Sequence, residues 1–309
     1  MSGSATALRS VLERSEERRF RKVGLLGAVH AEFVKLSRMR SVYLMAGAGI
    51  LLFIFVSAVL LAGPHQRDFV HSDPHGFWNR QLDVYIALFQ TGSGIFLLIT
   101  AARLAAQEYS LGTIRVVLAR GESRVQFWAA KLIVLALLGL ALLVGFSILA
   151  LIGTLLTYNV LAGSTRALTS LPTNAWIDLR AAFEAQLVSL SVTLLVATAA
   201  GFIGRSLGFG LGAALALFPA DNFGTIVMTL LTRLTGNNAY SWATAYFLGP
   251  NLNVLPNRLE PDRATTQVFA APLVLAHLDA THTLVVIAVW ALLLLAVPLA
   301  LLLRRDVLQ

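Results

Sequence analysis

The sequence predicts an all-α membrane protein with six transmembrane helices. Composition is the first indication, since 57% of the 309 residues are hydrophobic and only 13% are charged, whereas soluble domains carry about 25% charged residues. The second is a set of apolar runs close to the ~20 residues that a helix needs to cross a bilayer. None of these runs alternates apolar and polar residues as the strands of a membrane barrel do. We therefore expect each run to satisfy its backbone hydrogen bonds as a helix. The six runs are residues 42–62, 84–102, 132–156, 187–203, 207–231 and 284–303.

The distribution of basic residues predicts the orientation of these spans. Of the 24 lysines and arginines, 17 lie before span one, between spans two and three, between spans four and five, or after span six, and seven lie on the other side. The positive-inside rule then places both termini in the cytoplasm and the chain in the cytoplasmic membrane. Cations beside spans attract anionic lipid headgroups, so we expect the bilayer, and not nucleic acid, to be their partner.

The segments outside the spans divide the chain further. Residues 1–24 form a charge-rich cytoplasmic N-terminal extension, and residues 25–309 form the transmembrane domain. Apolar residues recur near the helical period over residues 25–40, which is typical of an amphipathic helix that lies in the membrane interface. Residues 63–82 and 158–180 are expected to be outer loops.

The last outer connection is much longer than the others. It contains two half-apolar pieces, residues 239–248 and 268–278, which are too short to span a bilayer. The aromatic residues of the first piece suit the headgroup level. We therefore expect re-entrant or interfacial helices before span six, separated by a turn-rich, solvated segment at 249–263.

The most distinctive segment is the polar, basic stretch 107–131, which lies between two strongly apolar runs. Its charged residues, Glu108 and Arg115 among them, are interleaved with isoleucine, valine and leucine. An amphipathic loop of this kind indicates a surface for a cytoplasmic partner.

The chain lacks the motifs of a catalytic or nucleotide-binding subunit. A P-loop requires a lysine directly after glycine to bind phosphate, and Lys22, Lys35 and Lys131 all follow other residues. Ser93 lies between glycines, but every histidine is outside the spans, so this small-residue stretch indicates close helix packing. We expect no enzymatic activity and no cofactor bound by this chain.

Two groups of polar residues are candidates for sites. His65, His71 and His75 share a loop with two aspartates and could bind a divalent ion, but loop histidines are more often solvated, so no metal site is predicted. Gln90, Asp221 and Asn222 are the candidates for a translocation path. Asp221 lies either in a kink near the middle of span five or at the outer end of a shorter or tilted span, because hydropathy does not fix tilt.

Taken in order, these features resemble the membrane subunit of an ABC-2 type ABC transporter. Six spans with a long connection before the last extend the resemblance over nearly the whole chain. The E-x-x-K-x-x-R pattern before span one comprises Glu32, Lys35 and Arg38. The loop pattern comprises Glu108, Gly112, Thr113, Leu118, Arg124 and Lys131.

The resemblance implies the permease of an exporter. The complete exporter would contain a second, identical permease subunit and two copies of a cytoplasmic ABC ATPase. The ATPase would bind ATP and Mg²⁺. Residues 110–120 would be a coupling helix in a groove of the ATPase, with Ile114, Val117 and Leu118 in apolar contact and Arg115 and Arg120 paired with acids. Spans one, two and five would line the path. The full coupling set is Glu108, Gly112, Thr113, Ile114, Arg115, Val117, Leu118, Arg120 and Arg124.

The cargo and two other functions stay open. The apolar spans favour a hydrophobic or amphipathic cargo. An ion-coupled secondary carrier would need charges deep in the spans, for which Asp221 is the candidate. A non-transporting scaffold would recruit a cytosolic partner through residues 103–131. A neighbouring gene for an ABC ATPase would favour the exporter.

Overall fold

The computed structural model describes residues 24–119, 121–164, 173–259, 275 and 277–304. These residues form eleven α-helices and contain no strand. In chain order the helices are α1 Leu25–Ser37, α2 Arg40–Ala62, α3 Gln66–Ser72, α4 Pro74–Ser110, α5 Ile114–Ala119, α6 Arg124–Ala162, α7 Thr173–Gly204, α8 Leu207–Thr235, α9 Ala239–Thr244, α10 Leu248–Leu259 and α11 Ala280–Arg304.

Six helices of the described chain, α2, α4, α6, α7, α8 and α11, are long and apolar enough to cross a membrane. This confirms the all-α prediction and the number of spans. Helices α4 and α6 contain 37 and 39 residues, which corresponds to about 55–60 Å at 1.5 Å per residue. Both therefore extend beyond a hydrocarbon core of about 30 Å.

Local sequence signals fix where the long helices begin. Pro74 occupies the first turn of α4, and Asp73 Oδ1 accepts a hydrogen bond from the Gly76 amide at 2.8 Å, which satisfies a donor that the helix cannot. Ser123 and Gln126 form a reciprocal capping box at the start of α6. These caps lie well outside the apolar runs, so the helices are longer than the runs.

The prediction of two outer loops is wrong for most of their length. Residues 63–82 contain α3 and the first turns of α4, while residues 158–162 and 173–180 belong to α6 and α7. Hydropathy detects only the apolar part of a helix, so it does not distinguish the polar turns that continue beyond that part from a loop.

The region before the last span also differs from the prediction. Residues 249–259 are not solvated turns but part of α10, whose residues from Leu248 to Leu252 are all buried. Asn251 donates to the carbonyls of Ala245 and Phe247 at 2.8 and 2.7 Å, so this turn-forming residue satisfies backbone groups before the helix. Residues 239–248 contain the short helix α9. Most of the predicted piece 268–278 lies outside the described residues.

The core lies between α4, α6, α7, α8, α10 and α11. Small residues allow these helices to approach closely: a Cβ atom on Gly201 of α7 would lie 2.7 Å from Ala105 Cβ and 3.0 Å from the Ala102 carbonyl oxygen of α4. Such contacts replace the hydrophobic driving force that lipid does not supply. Only 6% of an 18-residue apolar stretch of α2 is buried inside the bundle, and the same holds for α8. Both helices therefore present broad apolar surfaces to lipid or to another chain.

Candidate functional site

Four charged residues from three helices meet at one end of the bundle. Glu32 and Lys35 of α1 pair with each other, and both Glu32 and Glu108, near the end of α4, pair with Lys131, in the second turn of α6. Lys35 also pairs with Glu108. We call these four residues the charge cluster. The end of the bundle where they lie, which also holds the last turn of α11, is the basic end.

The charge cluster is closely hydrogen-bonded. The Lys131 side chain is fully buried, and its Nζ donates to Glu32 Oε2 at 3.0 Å, Glu108 Oε1 at 2.8 Å and the Leu104 carbonyl oxygen at 2.8 Å. Lys35 Nζ donates to Glu32 Oε1 at 2.6 Å and Glu108 Oε1 at 2.7 Å. Two cations thus balance two carboxylates, as buried charges require.

Burial and the charges of the cluster together shift the pKa values of Lys35 and Glu122. Burial by itself lowers the pKa of Lys35, but its hydrogen bonds and attraction to Glu108 and Glu32 outweigh burial, and the pKa is raised above its ordinary value. Glu122, in the connection between α5 and α6, is a carboxyl group near the same cluster. Its pKa is raised, first by burial and then by the negative charge of Glu32.

Sequence reasoning named all four members of the charge cluster but did not bring them together. Lys131 and Glu32 are 99 positions apart, and nothing in their spacing predicts contact. On α1, Glu32 is buried against the bundle while Leu26 and Phe33 are 85% and 53% exposed, so the interfacial orientation of this helix stays a prediction. Arg38, the last residue of the predicted pattern, is exposed at the end of α1 and outside the charge cluster.

The connection between α4 and α6 turns at two glycines. Gly112 and Gly121 have φ angles of 66° and 88°, in the left-handed region that glycine adopts without a steric penalty. They bracket α5, and the Thr113 carbonyl accepts hydrogen bonds from Val116 and Val117 at 3.0 and 3.1 Å. We call residues 111–123 the α4–α6 loop.

One predicted contact surface of this loop faces inward. Ile114, expected to contact an ATPase, is only 4% exposed and packs with Phe127, Phe202 and Leu302. Val117 and Leu118 pack partly against the same group. The prediction that these residues form a free apolar surface is wrong for Ile114, because the loop folds onto the bundle. Arg120 lies outside the described residues.

The outward face of the α4–α6 loop has a different composition. Leu111 is 64% exposed and Val116 is 52% exposed, and Thr113 and Arg115 are exposed with them. Periodicity did not single out Leu111 and Val116, because a six-residue helix shows too little of a pattern to distinguish its two faces.

Two side chains join the ends of the α4–α6 loop to other spans. Arg124 Nη1 donates to the carbonyls of Leu302 and Leu303 at 2.8 and 3.0 Å, so it binds the end of α11. Ser110 Oγ accepts from the Leu207 amide at 2.9 Å, so it caps the start of α8. The helix ends that flank the loop therefore contact α8 and α11.

The candidate path residues meet at α10. Gln90 Nε2 donates to Asn253 Oδ1 and Asn253 Nδ2 donates to Asn222 Oδ1, both at 3.3 Å. Asp221 Oδ2 accepts from the Gly249 amide at 2.6 Å, in the first turn of α10. Asp221 lies near the midpoint of the 29-residue helix α8. It faces α10, which favours a carboxylate at its N-terminus.

The loop histidines do not gather around a common point. Within the described residues no three histidine, aspartate or glutamate side chains are placed to hold a metal ion. His75 instead contacts Asn79 at 3.4 Å and Asp178 at 3.8 Å, and Asp73 caps α4.

The six apolar helices define this chain as a multi-pass helical membrane protein. A sequence model of the ABC-2 family transporter proteins matches residues 28–203, which is more than half of the chain. The chain therefore belongs to the ABC-2 transporter family and is a transport permease. The match runs from α1 into α7, so it contains the charge cluster and the α4–α6 loop. No curated protein and no solved structure matches the chain.

Proposed function

We propose that this chain is the permease subunit of an ATP-driven exporter and that its α4–α6 loop receives motion from a separate cytoplasmic ATPase. The observation that supports this most is the division of the loop into two faces. Ile114 is buried against the bundle, while Leu111 and Val116 are more than half exposed. Exposed apolar residues next to a basic residue, Arg115, suit a protein interface.

The contacts behind the loop supply a route for motion. The charge cluster links α1, α4 and α6, Ser110 reaches α8, and Arg124 reaches α11. A displacement of the loop would therefore move several spans together, and transport needs two discrete arrangements of such spans. In the complete exporter two ATPase subunits, which bind ATP and Mg²⁺, act on two identical permease subunits. The basic end, with both termini, faces the cytoplasm.

The middle of the bundle supports a path next to α8. The polar chain Gln90–Asn253–Asn222 and the carboxylate of Asp221 lie where α4, α8 and α10 meet. Polar residues at membrane depth generally face a protein interior or a water-filled passage. A hydrophobic or amphipathic cargo, exported past this region between two copies of the chain, fits the apolar surfaces of α2 and α8.

The proposal is tested by charging the outward face of the loop. Leu111→Glu with Val116→Glu, co-expressed with the ABC ATPase of the genomic neighbourhood, should reduce co-purification of the ATPase at least tenfold while the permease still folds. Leu234→Glu, at a site that is 73% exposed at the opposite end of the bundle, is the matched control.

Two results would contradict the proposal. One is normal ATPase recovery with the double variant. The other is cargo movement that follows a proton gradient without any ATPase, which would favour an ion-coupled carrier with Asp221 at its centre.

A further inference from the structure

Three arginines lie around the corner at which α1 passes into α2. Arg38 follows the last residue of α1, and Arg40 is the first residue of α2. Arg103 of α4 donates from Nη1 to the Ser41 hydroxyl at 3.3 Å, so its guanidinium group reaches the same corner. All three arginines are exposed, and we call them the arginine corner.

The described residues give the arginine corner no carboxylate of its own. The first turn of α2 contains no acidic residue, and none of the ion pairs between described residues involves the three arginines. The acids nearest in sequence, Glu32 and Glu108, are buried and paired with lysines in the charge cluster. Three exposed cations thus share one corner without a counter-charge in the described part of the chain.

The arginine corner lies at the depth where hydrocarbon gives way to headgroups. Arg40 comes two positions before the apolar run 42–62, and Arg103 directly follows the apolar run 84–102. Arg103 also precedes Ser110, the end of α4, by about 10 Å along the helix axis. The corner is therefore set back from the surface on which an ATPase would rest, at a depth where lipid phosphates lie.

Aromatic and apolar side chains border the arginine corner. Tyr43 and Leu44 of α2 are 62% and 73% exposed, and the Tyr43 hydroxyl donates to the Ser37 carbonyl at 2.8 Å, which joins α2 to the end of α1. Exposed tyrosines suit the headgroup level of a bilayer. The exposed face of α2 continues from Leu44 to Leu51, which is 69% exposed, so acyl chains below the arginines would meet an apolar helix face.

We propose that the arginine corner binds one anionic phospholipid of the adjacent membrane leaflet. The lipid phosphate accepts hydrogen bonds from the guanidinium groups, whose planar arrays of donors match phosphate oxygens. The acyl chains lie along the exposed face of α2. A phosphatidylcholine would bring its own cation to the three arginines, so it binds more weakly. This site needs neither an ATPase nor transport, so it does not depend on the proposed function.

Native mass spectrometry of the purified chain in a neutral detergent measures the affinity for the first bound lipid. Dioleoylphosphatidylglycerol and dioleoylphosphatidylcholine, which have the same acyl chains, are titrated in parallel. Phosphatidylglycerol should bind about twentyfold more tightly or better, since each arginine near an anionic headgroup contributes about fivefold. Inorganic phosphate at the same concentration should not displace it, because the acyl chains also contribute to binding.

Arg40→Gln with Arg103→Gln should weaken binding of the first phosphatidylglycerol about twentyfold, close to the affinity for phosphatidylcholine, which should not change. Both positions are exposed, so the thermal midpoint in detergent should stay the same. Arg67→Gln with Arg80→Gln is the matched control. It removes the same charge from exposed positions at the opposite end of the bundle and should keep the parent affinity.

Equal affinities of the parent chain for the two lipids would overturn the proposal, and so would an equal loss of affinity in both double variants, which would indicate diffuse attraction by net charge. Displacement by inorganic phosphate would show that the occupant is not a lipid. If the Arg40 and Arg103 double variant keeps its lipid affinity but loses co-purification of the ATPase, the arginines face the ATPase and the proposal is wrong. No ATPase is present in the lipid assay, so its failure leaves the proposed role of the α4–α6 loop untouched.

Discussion

Lys131 is the residue on which the basic end most depends. Its side chain has no exposure, and all three of its N–H donors are used within the charge cluster and on Leu104. Each carboxylate of the cluster keeps a partner only while the lysines stay in place. A buried charge that loses its partner costs far more than a surface pair contributes.

Lys131→Met is therefore expected to destabilise the fold by about 3 kcal/mol or more, because Glu32 and Glu108 then share Lys35 alone. The measurement is the thermal midpoint of the purified chain in detergent. Arg103→Met, which removes an exposed arginine of α4 whose contact is the Ser41 hydroxyl, is the control and should change the midpoint little. Equal midpoints for both variants would contradict the account of the cluster.

Glu122 makes stability depend on pH. Its pKa is raised in the folded chain, by burial and by Glu32, so the folded state holds this proton more tightly than the unfolded state. Wild-type stability then falls as pH rises from the ordinary pKa of 4.5 through the raised value, a loss that Glu122→Gln does not share. The variant should match the wild type below about pH 4.5 and melt at a higher temperature at pH 7. A difference in melting temperature between Glu122→Gln and the wild type that does not change with pH would contradict this, and so would an equal difference for the exposed Asp68→Asn.

At the scale of elements, two short pieces of chain matter most. The α4–α6 loop holds α5 between two glycines in a left-handed conformation, and α10 inserts its first turn against the midpoint of α8. Each can be probed by changing one residue, Gly112 or Asp221, without altering a whole span.

Gly112→Ala should destabilise the loop by about 1–2 kcal/mol, because an L-residue pays that cost at φ 66°. No atom lies within 4 Å of the added Cβ, so the effect reports backbone conformation alone. Amide hydrogen exchange of residues 114–119 should become faster. Gly92→Ala, within α4 and equally uncrowded, should be neutral or stabilising, and faster exchange in both variants would contradict the argument.

Asp221→Ala should release the first turn of α10, because the Gly249 amide loses its acceptor and the N-terminus of the helix loses a favourable charge. Faster hydrogen exchange at residues 249–252 is the expected result. Asp221→Asn keeps an acceptor oxygen and should retain most of the protection. Unchanged exchange in the alanine variant would show that packing alone positions α10.

At the scale of the whole molecule, the sequence predicted what depends on local composition. Six spans follow from hydropathy, and the sequence marks as candidates the residues of the charge cluster and Gln90, Asp221 and Asn222 of the polar path, but not Asn253. Their contacts were not predicted, since Arg124 and Leu302 are 178 positions apart. The burial of α10 depends on the helices around it, and its asparagines and prolines read locally as turns. The inward side of Ile114 depends on Phe202 and Leu302, which no local pattern contains.

The central claim is that the outward face of the α4–α6 loop contacts an ATPase, and cysteine cross-linking tests it most directly. The chain contains no cysteine, so Val116→Cys introduces a single thiol at a position that is 52% exposed. In membranes containing the co-expressed ABC ATPase, a short bifunctional thiol reagent should join this cysteine to cysteines placed around the helix-binding groove of the ATPase. Ile114→Cys, buried two positions away, should not react. Cross-linking at Val116 that depends on the ATPase and on nucleotide state is the predicted result, and its absence in an ATPase-bound, transport-competent complex would contradict the account.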